Sequence, residues 1–195
     1  MRTSLVNPDG LGEDLPVLDS GEDLRLRPLA DGDAGAVFEL FGDPEVVRFM
    51  SVRRLASEGE ARDFIAGIWD GFLSGTLYQW GIELERELVG TCTLAGIERQ
   101  HRRAELGFAV LRRWWGRRVV SRALPPVIEL AFEHLGLHRL EADADPRNEA
   151  SLRVLERLGF RREGLLRERY FQEDEAQDAV VFGLLRREWR GGELD

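Results

Sequence analysis

The sequence contains no lysine: all 27 of its basic residues are arginine, set against 36 aspartates and glutamates. Schiff-base chemistry, which needs a lysine amine, is therefore excluded. The formal net charge of −9 argues against general nucleic-acid binding, because such binding needs a basic face. The same acidic balance favours cationic partners, such as amines.

Cysteine and histidine are also scarce. A single cysteine, Cys92, cannot form an intrachain disulfide, so we expect a reducing, cytoplasmic setting. Its place inside a strand of a hairpin predicts a core residue rather than an acyl-carrying nucleophile. The three histidines, His101, His134 and His138, lack metal-ligand spacing, and no metal site is expected.

Long apolar runs are absent as well, and no stretch is long enough to span a bilayer. The N-terminus lacks the basic and apolar regions of a signal peptide, so no membrane association is expected. A length of 195 residues with 43% hydrophobic content suits one globular domain. We assign it to residues 23–190, between a flexible or loosely docked arm over 1–22 and a tail over 191–195.

The spacing of apolar residues predicts an α+β domain. Alternation with period two predicts strands over 24–27, 78–84, 88–94, 103–111, 139–144, 161–170 and 179–185. Helical spacing predicts helices over 34–41, 58–73, 127–135 and 149–158, with a short helical turn beginning at Asp43-Pro44. The order is β-α-α-β-β-β-α-β-α-β-β, typical of one mixed sheet covered by helices.

The most informative stretch, residues 148–164, reads N-E-A-S-L-R-V-L-E-R-L-G-F-R-R-E-G. It resembles the N-x-x-S-x-x-V-L-x-x-L-G-F-x-x-E-G segment of the GNAT superfamily of acetyl-CoA-dependent N-acyltransferases, closest to the RimJ/RimL-like branch. Segments 104–108 and 178–189 fit the same branch. The resemblance covers roughly 23–190 and implies a central, mixed, splayed sheet, with acetyl-CoA as co-substrate and an amine as acceptor.

The resemblance also implies where acetyl-CoA lies. Its pantetheine arm would enter the gap between the strands at 103–111 and 139–145, making backbone contacts at Phe108, Ala109 and Val110. An amide there would polarise the thioester carbonyl. Asn148 and Ser151 match positions that contact the arm, although Asn148 also reads as an ordinary helix N-cap.

The phosphate-binding loop departs from the family pattern. The aligned residues are Trp115, Gly116, Arg117, Arg118, Val119, Val120 and Ser121. Trp115 and Gly116 match, but Arg118 and Val120 replace small residues that let backbone N–H groups approach the pyrophosphate. Arginine suits a positive φ at 118 poorly.

Pro125-Pro126 is a second departure, because two prolines should kink or delay the helix that follows this loop. Three alternatives follow, one of which is that the arginines of this segment are simply solvated. Arg117, Arg118 and Arg122 supply side-chain charge that partly replaces the backbone contacts. Otherwise acetyl-CoA binding is weakened or lost, which would make the chain a GNAT-fold pseudoenzyme or a binding module.

Two glutamates are candidate general bases. Glu105 stands where many members of the family carry their base, and Glu141 on the neighbouring strand is the second candidate; either could instead be a surface residue in an ion pair. In many members of the family a tyrosine acts as the general acid that protonates the departing thiolate, and Leu155 occupies its position here. Ser151 or water would then supply the proton, or the thiolate would leave unassisted.

We therefore predict acetyl transfer to a primary amine by direct attack in a ternary complex. The acceptor could be a protein N-terminus, an amino acid, a polyamine or an aminoglycoside. A longer acyl chain and a homodimer both stay open.

Overall fold

The structure, a computed structural model, describes residues 7–21, 23–172 and 174–191. The strands are β1 Leu18–Asp19, β2 Leu24–Pro28, β3 Leu77–Leu84, β4 Glu87–Glu98, β5 Arg103–Val110, β6 Arg139–Ala144, β7 Arg161–Gln172 and β8 Glu175–Leu185. The helices are α1 Ala34–Gly42, α2 Pro44–Val47, α3 Glu58–Ser74, α4 Val119–Glu129 and α5 Glu149–Arg157. Within these ranges, none of the helices combines the length and the apolar character needed to cross a membrane.

All eight strands form one mixed sheet in the order β1-β2-β3-β4-β5-β6-β8-β7. Every neighbouring pair is antiparallel except β5 and β6, which run parallel. This confirms the predicted fold class and element order. The short helical turn predicted at Asp43-Pro44 is the four-residue α2, and the structure adds the two-residue β1. Among the described strands β5 and β6 are the one parallel pair, and they lie in the middle of the sheet.

The two central strands separate after a short paired stretch. The partners of β5 and β6 are Arg103 with Arg139, Ala104 with Leu140, and Glu105 with Glu141. Beyond that point β5 stays on β4 as far as Val110, and β6 stays on β8 as far as Ala144. The predicted splay is therefore present, and it begins at Glu105.

Helices cover both faces of the sheet. One apolar cluster joins the sheet to α4 and α5, with Trp80, Phe132 and Phe182 among its fully buried side chains. A second cluster packs α1 and α3 on the other face. Cys92 is fully buried in the first cluster, where burial raises the pKa of its thiol; it is a core residue, as predicted.

The start of the helix after the loop at 115–118 was predicted wrongly. It was expected over 127–135, kinked or delayed by Pro125-Pro126, but α4 begins at Val119 and runs through both prolines. A π-helical turn, Leu130–His134, continues it. The apolar face of α4 is fully buried in the core at Ala123, Leu124, Val127 and Ile128, and this packing outweighs the local cost of the prolines.

The N-terminal arm is docked on the sheet over the described residues 7–21. The side-chain amide of Asn7 donates from Nδ2 to the Phe72 carbonyl at 2.5 Å, and its Oδ1 accepts from the Tyr78 hydroxyl at 3.1 Å. The Trp80 indole N–H donates to the Pro16 carbonyl at 2.8 Å. Residues 1–6 and 22 of the predicted arm, and 192–195 of the predicted tail, lie outside the described residues.

Candidate active site

The splay opens into a cleft of about 940 Å³, a size typical of small-molecule sites. It brings together most of the sequence-predicted site residues: Glu105, Phe108, Ala109, Val110, Trp115, Gly116, Arg118, Val119, Val120, Ser121, Asn148 and Ser151. Arg117 and Glu141 do not line it.

The free edge of β5 offers backbone groups to the cleft. The Leu111 N–H donates to the Val89 carbonyl on β4 at 2.9 Å. Because the backbone groups of successive residues in a strand point to alternate sides, this bond shows which residues of β5 face β4. Ala109 therefore turns its backbone groups towards β4, and those of Phe108 and Val110 face the gap. The Trp115 indole N–H already donates to the Val110 carbonyl at 2.7 Å. Of the three predicted backbone contacts, Phe108 is thus the most available, and the contact at Ala109 stays a prediction.

The loop before α4 has the backbone shape of an anion-binding nest. Gly116 has φ +74° and Arg118 has φ +56°, so position 118 does take the positive φ that arginine suits poorly. Arg118 is the N-cap of α4, and no side chain caps this end of the helix. The first-turn N–H groups of an α-helix have no partners within the helix. Those of Val119, Val120 and Ser121 belong to residues that line the cleft.

Of the three arginines considered for phosphate binding, only Arg118 lines the cleft. The Arg117 guanidinium stacks on the Trp114 ring, 4.9 Å from its centroid. Arg122 pairs with the Asp23 carboxylate. The Arg122 side chain is thus paired with a partner distant in the sequence, and the Arg117 guanidinium lies on a ring that itself lines the cleft. Phosphate binding by these two arginines stays a prediction.

The αL conformation of Arg118 supports a stability prediction. A side chain in this region costs roughly 1 kcal/mol or more, which glycine avoids. We expect Arg118→Gly to raise the free energy of unfolding by about 0.5 kcal/mol, after the greater chain entropy of glycine is subtracted. Urea unfolding measures it. The matched change Arg117→Gly lies outside the αL region and should lower stability; equal effects of the two variants would contradict the assignment of strain.

Asn148 is the N-cap of α5, where its side-chain oxygen accepts the Ser151 N–H at 3.2 Å. It therefore performs the ordinary capping role and also lines the cleft. Ser151 is half-buried there. Leu155 lies one turn further along α5 and is 1% exposed.

Glu105 lies at the point where the strands separate, with a small cluster of charged and polar groups around it. Its side chain is exposed to the cleft. The protein packed around its carboxyl and the charge of Asp143 raise its pKa, against an opposing effect of Arg169 and with a smaller raising effect of Glu141. Tyr170 also lines the cleft, and its hydroxyl donates to the Asp143 carboxylate. Glu105 is thus a carboxylate able to accept a proton closer to neutral pH.

Glu141 is held away from the cleft by two arginines. Its carboxylate accepts from Arg103 Nη1 and from Arg139 Nε, each at 2.8 Å. Arg103 and Arg139 also pair with Glu98 and Glu163. Glu141 therefore fits the alternative that it is a surface residue in an ion pair. Its two arginine partners make it a weaker candidate for the general base than Glu105.

The loop between α2 and α3 closes the far side of the cleft. The Phe49 ring lies between the guanidinium groups of Arg48 and Arg147, 5.0 and 5.1 Å from its centroid. The Gln177 amide on β8 donates to the Arg48 carbonyl at 2.8 Å and ties this loop to the sheet. Sequence reasoning missed this wall, because no local pattern joins Phe49 to residues about a hundred positions later.

Comparisons with known proteins agree with this architecture. Residues 23–161 match the model of the acetyltransferase (GNAT) domain. The uncharacterized N-acetyltransferase p20 of Bacillus licheniformis is 34% identical over 172 residues, 87% of this chain and 97% of that protein. Spermidine N(1)-acetyltransferase of Escherichia coli (strain K12) is 25% identical over 162 residues, 83% and 85% of the two chains.

A solved structure shows the same fold at lower identity. Mycobacterium smegmatis RimJ in complex with CoA-disulfide superposes with a TM-score of 0.83 at 22% identity, over 91% of each chain. The splayed sheet, the family match across most of the chain and the relative that is 34% identical lead to one conclusion: the chain belongs to the GNAT family of acetyltransferases.

Proposed function

We propose that this enzyme transfers the acetyl group of acetyl-CoA to a primary amine that attacks directly in a ternary complex, with Glu105 as the general base. The observation that carries the proposal is the position of Glu105 where β5 and β6 part. From there β5 presents free backbone groups to the cleft, and the cleft continues to the uncapped start of α4.

The cleft is lined by charges of both signs, and the position of some of them suits the two substrates. Arg118 lies at the start of α4, and Arg153 and Arg157 lie on α5, where Arg153 also pairs with Glu149. These arginines would accompany the first-turn N–H groups of α4 in binding the phosphates of acetyl-CoA. Two further arginines of the lining, Arg48 and Arg147, lie against Phe49 on the opposite wall. Among the carboxylates of the lining, Glu105 and Asp143 come from the two central strands. These would face the amine.

Proton transfer follows from this placement. The amine must lose its proton to attack the thioester carbonyl; a C–N bond forms and the C–S bond breaks. Glu105 would take the proton directly or through one water, and its raised pKa suits this role. A backbone N–H facing the gap, that of Phe108 above all, would stabilise the oxyanion. Ser151 or water would protonate the departing thiolate, because Leu155 has no proton to donate.

We further propose that the acceptor is cationic. Glu105 and Asp143 put negative charge at the end of the cleft where the amine enters, and the formal net charge of −9 favours the approach of cations. The match to a spermidine N(1)-acetyltransferase is in keeping with a polyamine-like acceptor.

Calorimetric titration with acetyl-CoA, followed by a screen of amines for acetylation, tests the proposal. We expect micromolar binding and the fastest turnover with di- and polyamines. At about a hundred times its Kd, the ligand should stabilise the fold by roughly 2.7 kcal/mol, visible as a thermal shift. Absence of binding at millimolar acetyl-CoA would overturn the proposal in favour of a binding module. Binding without turnover of any amine would overturn the catalytic part alone.

The groups around Glu105 predict two opposite pH shifts. Because Asp143 raises the pKa of Glu105 and Arg169 lowers it, Asp143→Asn should move the acidic limb of the kcat profile to lower pH. Arg169→Gln should move it to higher pH. The base form of Glu105 is lost as pH falls through its pKa, which fixes both signs. Profiles for the three proteins under saturating substrates measure this, and shifts in the same direction would contradict the assignment.

A further inference from the structure

The two prolines inside α4 leave backbone carbonyls without their helical donors. In an α-helix the N–H of each residue bonds to the carbonyl four residues earlier. Pro126 has no N–H, so the carbonyl of Arg122 loses this partner, and Pro125 has the same effect on Ser121. Both carbonyls belong to the first turns of the helix, next to the proposed phosphate site.

The N-terminal part of the chain supplies the missing donor. The Ser20 hydroxyl donates to the Arg122 carbonyl across 102 residues of sequence. Ser20 is itself fixed, because its N–H donates to the Leu24 carbonyl at 2.9 Å in the turn between β1 and β2. At the other end of this turn the Asp23 carboxylate pairs with the Arg122 guanidinium. One turn therefore holds both the backbone and the side chain of Arg122.

We propose that Ser20 is a positioning residue for acetyl-CoA binding. Its hydroxyl replaces the hydrogen bond that Pro126 removes and so fixes the first turn of α4, whose N–H groups at 119–121 would bind the phosphates. The inference rests on the proposed function, since it requires acetyl-CoA to bind at this helix end. Ser20 belongs to the N-terminal arm and does not line the cleft, so it would act on acetyl-CoA binding through the first turn of α4.

The position of the bond explains why it matters for the ligand. Arg122 directly follows the cleft-lining residue Ser121, and its own N–H donates to the carbonyl of Arg118 at 3.2 Å. Arg118 is the N-cap with φ +56°. A shift of Arg122 would therefore displace both Arg118, to which it is hydrogen-bonded, and Ser121, which precedes it. A phosphate site depends on several N–H groups that point at one place, so small displacements of these groups weaken it.

A double-mutant cycle tests the idea, using Ser20→Ala, Pro126→Ala and both together, with acetyl-CoA Kd from calorimetry. Ser20→Ala should weaken binding about three- to tenfold, the effect of one unmade hydrogen bond. Pro126→Ala restores a backbone donor to the Arg122 carbonyl. In that background the Ser20 change should alter the affinity by less than about twofold, which is the coupling that the cycle measures.

Further readouts separate positioning from general stability. Ser20→Thr keeps the hydroxyl and should keep wild-type affinity. Ser74→Ala is the matched control, because the Ser74 hydroxyl donates to the Gly71 carbonyl at 3.0 Å at the end of α3, away from the cleft. We expect Ser20→Ala to raise the KM for acetyl-CoA while the KM for the amine and the melting temperature stay close to those of Ser74→Ala.

Each contrary result overturns a distinct step. Equal losses of affinity from Ser20→Ala with and without Pro126→Ala would show that the effect does not pass through the Arg122 carbonyl. Equal acetyl-CoA affinities for Ser20→Ala and Ser74→Ala would remove the positioning role and leave the proposed function standing. Failure of the wild-type protein to bind acetyl-CoA would overturn the proposed function, and this inference with it.

Discussion

Glu105→Gln is expected to lower kcat by about 10²- to 10⁴-fold, the usual contribution of a general base. The change keeps the shape of the side chain and removes its ability to accept a proton. Glu105 lies at the start of the splay and shares the cleft with the predicted cofactor contacts. Acetyl-CoA affinity should therefore stay within about twofold of wild type, because the loss falls on the chemical step. Steady-state kinetics and calorimetry on the same preparation measure both quantities.

Glu141→Gln is the matched control, since Glu141 is the parallel register partner of Glu105 on the adjacent strand. It is ion-paired to Arg103 and Arg139, so its loss should leave kcat within a few-fold. Its effect on stability should be below about 1 kcal/mol, as is usual for partly exposed ion pairs. A large fall in kcat for Glu141→Gln with little change for Glu105→Gln would reverse the assignment of the base.

Much of the fold was predictable because local patterns and the core agree. The alternation of apolar and polar residues along 139–144 predicted a strand with the same bounds as β6 in the structure, Arg139–Ala144. The α5 segment carried a cap, an apolar face and a terminal glycine, and Gly159 has φ +87° as a helix-ending residue should. Where each residue follows the preference of its own neighbourhood, the sequence alone is informative.

The start of α4 was missed because its local preference and its tertiary environment disagree. Proline costs about 3 kcal/mol inside an isolated helix, which argued against helix at 125–126. The burial of the apolar face of α4 outweighs that cost, and the Arg122 carbonyl, which Pro126 deprives of its helical donor, accepts from the Ser20 hydroxyl instead. The donor lies 102 residues earlier, so no local rule could include it.

The cluster around Glu105 was partly within reach of sequence reasoning. Asp143 follows Glu141 by two residues on one strand and so shares its face, a signal that could have added it to the site. Tyr170 carried no such signal. The register between β7 and β8 shifts twice, between Arg162 and Gly164 and between Leu166 and Tyr170. A bulge changes which face a residue takes, and its position is set by the folded sheet.

The largest expected effect on binding comes from placing a carboxylate in the phosphate site. Val120 is the second residue of α4 and lines the cleft, so Val120→Glu would put a negative charge beside the pyrophosphate. Like charges about 5 Å apart at an effective dielectric constant near 20 repel by about 3 kcal/mol. We expect acetyl-CoA affinity to fall by about 10²-fold, measured by calorimetry at low and high salt, with a smaller loss at high salt.

Val120→Gln separates this charge effect from the change in packing, because glutamine has the same shape and no charge. Both variants lose the same contacts of the half-buried valine. A carboxylate in the first turn is favoured by the helix dipole by about 0.3–1 kcal/mol, so the glutamate variant should be the more stable of the two while binding acetyl-CoA far more weakly. Loss of affinity combined with gain of stability is difficult to obtain by damage to the fold. Equal affinities of the two variants would instead place the phosphates away from this helix end, and the arginines of α5 would then be the next groups to test.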